Sequence, residues 1–195
     1  MDSVHLTGVA LAALLSENFL LVSCLGIGTR VEAFRSYTEA KRTGLSLLLA
    51  MLCTVPASWA ADMLLLRQFG LEHLRLMVFT LIALGTVALL RVFFKTFLPE
   101  LSARLDASLA ALSTNCAALG AALLSSLRGY ELSQAVTFAL CGGLGVLVVL
   151  ISFAGLRQDV GFDDCPRAFQ GAPIELITAG LMALALVGFY GLHIG

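Results

Sequence analysis

The chain has 195 residues, 59% of them hydrophobic and 13% charged, with a mean hydropathy of +0.94 and a formal net charge of −1. A soluble domain carries about 25% charged residues, and a bilayer span needs about 20 mainly apolar ones. The composition therefore excludes a soluble domain and leaves room for six spans and little else. The near-neutral charge specifies no partner, and no segment suggests nucleic-acid binding.

The first predicted span runs from about Val4 to Gly28. Met1 to His5 lacks a basic leader, and the apolar run is long enough to cross a bilayer, so a span rather than a cleaved signal is expected. It carries Glu17-Asn18 near its middle and ends in Cys24-Leu25-Gly26-Ile27-Gly28, where paired glycines suggest a break or a close backbone contact. A polar, basic loop is expected over Thr29–Thr43, and a second span over about Gly44–Leu66, with Pro56 and Asp62 in its later half. Arg67–Arg75 is a short connection. The third span, Leu76 to about Leu98, has Arg91 and Lys95 in its last turns, where long basic side chains snorkel.

Pro99–Asp106 reads as a loop, and the fourth span as about Ala107–Leu127. That span holds Ser113-Thr114-Asn115-Cys116 at mid-depth, where hydrocarbon does not tolerate unpartnered polar groups. A turn over Arg128–Leu132 leads to the fifth span, about Ser133–Leu156. Its Cys141-Gly142-Gly143 permits close helix packing. A loop rich in Asp and Pro, Arg157–Gly171, precedes the sixth span, about Ala172–Leu192. The expected fold is an all-α integral membrane protein with one domain over residues 1–195. Six spans divide into half-repeats of about 1–100 and 101–195, and an odd number per half makes related halves inverted repeats. Ser16-Glu17-Asn18-Phe19 and Ser113-Thr114-Asn115-Cys116 occupy matching first helices of the two halves, which would be the interrupted ones.

Each polar group inside a span has two readings. Asn115 either bonds a neighbouring helix or serves a site. Cys116 is either a small buried filler or a soft thiolate ligand for metal. Cys24, beside the glycine break of the matching helix, is the natural second ligand, with a packed thiol as the alternative. Cys53 and Cys141 lack polar company and read as packing. Glu17 is the one carboxylate near a span centre, where the cost of burial points to a proton or cation path with Asn18 and Asn115, or else to a hydrogen-bonded packing role. Asp62 and Glu175 sit nearer span ends and read as interfacial. One thiolate is not a metal site, and iron–sulfur clusters usually take four cysteines, so a second chain would have to contribute.

At these residues the chain resembles the family that joins the Rnf A-type and Nqr E-type subunits. These are small six-span subunits of the Rnf ion-translocating oxidoreductase and the sodium-pumping NADH:quinone reductase. The resemblance runs nearly end to end. It rests on Ser113-Thr114-Asn115-Cys116-Ala117, on Ile177-Thr178-Ala179-Gly180-Leu181-Met182, on Arg157 with Asp164-Cys165-Pro166, and on Glu17-Asn18-Phe19 and Leu25-Gly26. It implies a bacterial inner-membrane protein that pairs with an oppositely oriented homologue of the Rnf E or Nqr D type. It further implies an iron–sulfur centre, of the 2Fe-2S type, held near mid-membrane by cysteines from both chains, and electron exchange with flavin- and iron–sulfur-bearing subunits on the two sides. One position departs from the family. Its first-span motif is Leu-Gly, one residue, then Cys, whereas here Leu25-Gly26-Ile27 is followed by Gly28. Cys24 lies four residues earlier on about the same helix face, displaced by a rise of about 6 Å, while metal–ligand distances tolerate about 0.2 Å. Cys24 replaces the absent thiol only if the broken helix shifts by a turn or the cluster moves. A small secondary transporter or channel subunit, and a cluster-free structural subunit of the same complex, are the competing readings.

Basic residues orient the chain. The odd loops and their flanks hold Arg30, Arg35, Lys41, Arg42, Arg91, Lys95, Arg104, Arg157 and Arg167, and the even ones hold Arg67, Arg75 and Arg128. The odd loops are therefore expected in the cytoplasm and both termini outside, in the periplasm. A reporter fused after Gly195 should report the outside, and one inserted in Thr29–Thr43 the cytoplasm. The opposite pattern overturns the orientation.

Overall fold

The computed structural model describes residues 37–66, 68, 70, 72–97, 116–159 and 172–187. Within them lie the helices α1 (Tyr37–Ala61), α2 (Arg75–Phe97), α3 (Cys116–Leu127), α4 (Leu132–Asp159) and α5 (Ala172–Val187). A π-helical turn, Asp62–Leu66, continues α1, and a 3₁₀ turn, Glu72–Leu74, precedes α2. Three stretches are long and apolar enough to cross a membrane: Tyr37–Leu66, Arg75–Phe93 and Leu132–Leu156. These carry the predicted second, third and fifth spans. The described parts of the fourth and sixth are shorter, and the predicted first span lies outside the described residues.

One boundary differs from expectation. The composition of Tyr37–Thr43 predicts a loop, but the segment is the first part of α1. It includes Glu39, Ala40, Lys41 and Arg42, all good helix formers. Hydropathy marks where a helix enters hydrocarbon, not where its backbone hydrogen bonding begins, so the polar extension was not legible from apolar content.

The centre of the described structure is the contact between α1 and α4. A Cβ added to Gly44 would stand 3.2 Å from the Leu147 Cα, and one added to Gly143 would stand 3.1 Å from the Leu48 Cα. Each glycine thus lets its helix approach the backbone of the other. The pairing register runs in opposite directions along the two helices, so they are antiparallel. Leu47, Ala50, Met51 and Val55 from α1 and Ala135, Phe138, Ala139, Val146 and Leu150 from α4 are all nearly inaccessible in the resulting core. Between apolar helices in lipid the attraction is close packing rather than water exclusion, which is why small residues hold the crossing point.

Helix α3 packs by the same rule. Its buried face is Ala117, Ala118, Ala121, Ala122 and Ser125, a stripe with helical spacing and almost no side-chain bulk. The chain then reverses within four residues. Gly129 takes a φ of +65°, its N–H donates to the Ser126 carbonyl, and the Tyr130 N–H donates to the Ser125 carbonyl. This is a Schellman cap, and glycine supplies the left-handed conformation without a Cβ penalty. Gln134 opens α4 by accepting the Glu131 N–H at 3.3 Å through Oε1, the return half of a capping box. Trp59 ties the turn to α1, donating Nε1–H to the Tyr130 carbonyl at 3.0 Å.

Asp62 lies near the end of its span, as expected, but is buried within the protein rather than solvated. It is 3% exposed. Arg75 Nε donates to its Oδ1 at 3.1 Å, and Ser126 Oγ donates to its Oδ2 at 2.9 Å. The carboxylate therefore joins the end of α1, the start of α2 and the end of α3. The π turn begins at Asp62 itself, after Pro56 has already removed one backbone donor from the helix. Thr54 makes a second bond between α1 and α2, donating to Thr86 Oγ1 at 3.3 Å.

Two outcomes follow for thermal unfolding of the purified membrane assembly. Gly143→Val should destabilise it by about 1–3 kcal/mol, because the added carbons meet backbone rather than a flexible side-chain end, and Gly143→Ala should cost less. Asp62→Leu should cost on the order of 3 kcal/mol by leaving Arg75 without its carboxylate, and adding Arg75→Leu should recover part of that loss. A double variant no more stable than Asp62→Leu alone would contradict the ion-pair account.

Candidate functional site

Of the predicted site residues, Cys116 is the one within the described residues. Glu17, Asn18, Cys24, Gly28 and Asn115 all lie outside them. Cys116 is the first described residue of α3 and is exposed. Its neighbours Ala117 and Ala118 are buried at 0% and 3% exposure. The thiol therefore points away from the small-residue stripe that packs against α1. Among the described residues, Cys116 is not part of the buried core.

The position of Cys116 along the bundle follows from helix geometry. Ser126 holds the far end of α3 on Asp62. Ten residues at 1.5 Å each separate Ser126 from Cys116, about 15 Å. That is about half the thickness of a hydrocarbon core. The Schellman cap, the Asp62 bond and the stripe against α1 fix α3 along its axis and about it, so the direction of the thiol is set by contacts up to ten residues away.

Among the described residues no three His, Cys, Asp or Glu side chains converge where a metal ion could sit. Cys53 and Cys141 are partly buried free thiols within α1 and α4. A single exposed thiol fits a metal centre only as one part of a donor set completed by other groups. The second motif behind the resemblance, Ile177–Met182, is on α5. Ile177 and Leu181 are exposed at 50% and 62%, and the Thr178 hydroxyl donates to the Ile174 carbonyl at 2.8 Å. That bond satisfies the hydroxyl within its own helix.

Sequence reading missed the Asp62–Arg75–Ser126 cluster. Its members are 13 and 64 residues from Asp62. A carboxylate near a span end reads as solvated unless its partners are known. The available signal was Arg75 at the start of the following span, which a helical hairpin brings back to the level of Asp62.

A family model described as Rnf-Nqr subunit, membrane protein, matches residues 6–193. The chain is 35% identical over 184 residues to a protein of Syntrophotalea carbinolica that is named as the A subunit of an ion-translocating oxidoreductase complex, covering 94% of this chain and 95% of that one. It is 37% identical over 187 residues to the protein of the same name from Pseudomonas aeruginosa, covering 94% and 95%. The corresponding protein of an Azoarcus species is 34% identical over 182 residues, covering 93% and 94%. With nearly its whole length matched in this way, the chain belongs to the Rnf-Nqr family of membrane subunits.

Proposed function

We propose that this chain is a membrane subunit of an ion-translocating oxidoreductase complex and that Cys116 supplies one thiolate to an iron–sulfur centre shared with a homologous partner subunit. The exposure of Cys116 on the side of α3 turned away from its own core carries this reading. A thiol packed for stability belongs among the buried alanines of the stripe, whereas a ligand for a shared centre must face a neighbour. The names borne by the relatives, each the A subunit of an ion-translocating oxidoreductase complex, support membership of such a complex. When bound, the centre supplies one-electron transfer. The chain's own part is to hold the Cys116 sulfur at mid-depth on a helix locked at its far end, and to keep water away with the apolar faces around it.

On this reading the chain has six spans arranged as two inverted repeats in a bacterial inner membrane, with both termini outside. The reciprocal glycine crossing supports the repeat. Gly44 and Leu48 of α1 each have a counterpart 99 residues later, Gly143 and Leu147 of α4, and each glycine meets the other half's leucine. Two halves related by a two-fold axis in the membrane plane produce such an exchange at the axis. The remaining partners are a homologue of the Rnf E or Nqr D type and flavin- and iron–sulfur-bearing subunits. Glu17, Asn18 and Asn115 are assigned to an ion or proton path, and Cys24 to the second thiolate in place of the family cysteine absent at Gly28.

The test is iron and sulfide content of the purified complex. Cys116→Ser nearly keeps side-chain volume, so a packing thiol tolerates it with a small loss of stability. A ligand does not, and the variant should lose the cluster's visible absorption and electron flow while the subunits still assemble. Cys24→Ser should do the same if Cys24 has taken the second position, and should leave iron unchanged if it has not. Full iron content and unchanged electron transfer in the Cys24/Cys116 double variant would establish the cluster-free structural reading instead.

A further inference from the structure

Helices α1 and α2 form an antiparallel pair. Asp62 and Arg75 meet at one end, and Thr54 and Thr86 meet near the middle. Continuing that register places Arg91 and Lys95 level with the stretch Arg42–Leu49. The opposite end of the pair therefore gathers Lys41, Arg42, Arg91 and Lys95. Glu39 is the carboxylate on α1 at the same end, exposed, and Lys41 lies over the Tyr37 ring at 4.2 Å.

Arg91 is the unusual member. It follows Val87, which is 3% exposed, by one helical turn, so its stem runs along the buried flank of α2. Its Nε is buried and has no acceptor. On the other flank Leu89 and Val92 are exposed at 70% and 66%, and only 11% of the apolar window of α2 is buried against the rest of the chain. Arg91 thus lies between the packed flank and the open flank of α2. The apolar stretch of α2 ends at Phe93, two residues beyond Arg91, which places the guanidinium at the level where lipid headgroups lie.

We propose that Arg91 and Lys95 form a binding site for the phosphate of an anionic phospholipid, seated on the lipid-facing flank of α2. The planar guanidinium takes a phosphate through two parallel bonds. Lys95 lies one turn further on the same face and adds a second cation. Together they favour a headgroup without its own ammonium, such as phosphatidylglycerol or cardiolipin, over a zwitterionic one. The exposed Leu89 and Val92 supply the apolar wall for its acyl chains.

The test uses the purified complex in nanodiscs of phosphatidylcholine alone or of phosphatidylcholine mixed with cardiolipin. Lipid retained through purification is counted by native mass spectrometry, and the unfolding temperature is measured in both discs. Wild type should retain cardiolipin and unfold at a higher temperature in the mixed discs. Arg91→Gln with Lys95→Gln should lower retention by about tenfold, the loss of a charge-assisted phosphate contact, and abolish the temperature difference. Arg91→Lys, which keeps a charge but not the two-pronged contact, should fall between. If Arg91→Gln fails to assemble, the exposed Lys95→Gln alone must still lower retention. Wild-type retention in either Gln variant overturns the proposal. So does displacement of the lipid by excess inorganic phosphate, which would make the site one for the free ion, and so does a cross-link from position 91 to a carboxylate of another subunit.

Discussion

The close approach of α1 and α4 is the constraint on which the described structure depends. In lipid, helices gain little from hiding apolar surface from one another, because the surroundings are as apolar as leucine. What distinguishes one arrangement from another is how near two backbones can come. Gly44 and Gly143 bring each helix against the Cα of a leucine on the other, and the large side chains above and below, Phe138 and Met51 among them, fill the space that remains. Helix α3 then lies on α1 through alanines. In this way the small residues set the spacing, and the bulky ones occupy what the spacing leaves.

Most of the polar bonds between the described helices lie at one end of this assembly. The Asp62 carboxylate, almost wholly removed from solvent, accepts from Arg75 and Ser126 and so holds three helices at one level. Trp59 adds the turn before α4. A buried ion pair of this kind is weak evidence for net stability, because desolvation offsets attraction. Its effect is positional: it fixes how α3 lies along its axis. That matters because the other end of α3 carries Cys116, whose thiol faces outward. On the proposed role of Cys116, that anchoring serves a metal–ligand distance that tolerates shifts of only about 0.2 Å.

Much of this was legible in the sequence, for reasons that differ from element to element. The second, third and fifth spans follow from apolar length, and α2 and α4 begin and end within a few residues of expectation. Gly143 read correctly as a packing site, because small residues in hydrocarbon have few other uses. The start of α1 at Tyr37 was not legible, since a polar helical extension and a polar loop share a composition. The burial of Asp62 was hidden for another reason. Whether a carboxylate near a span end is solvated depends on partners 13 and 64 residues away. Cys116 stood out by its residue type and its company, but its outward direction emerged only from the alanines beside it, once their stripe was seen to face α1.

The turn between α3 and α4 bears on how the chain enters the membrane. Its carbonyls and N–H groups are largely satisfied by the Schellman cap, the Gln134 bond and Trp59, and its charged side chains are Arg128 and Glu131. The Arg128 guanidinium bonds the Tyr130 hydroxyl at 3.1 Å and lies 5.9 Å from the centres of the Tyr130 and Phe138 rings. A hairpin tip with so few naked polar groups crosses a bilayer at far lower cost than an open loop would. The two helices can accordingly enter the membrane together as one hairpin, onto the α1 and α2 pair made before them.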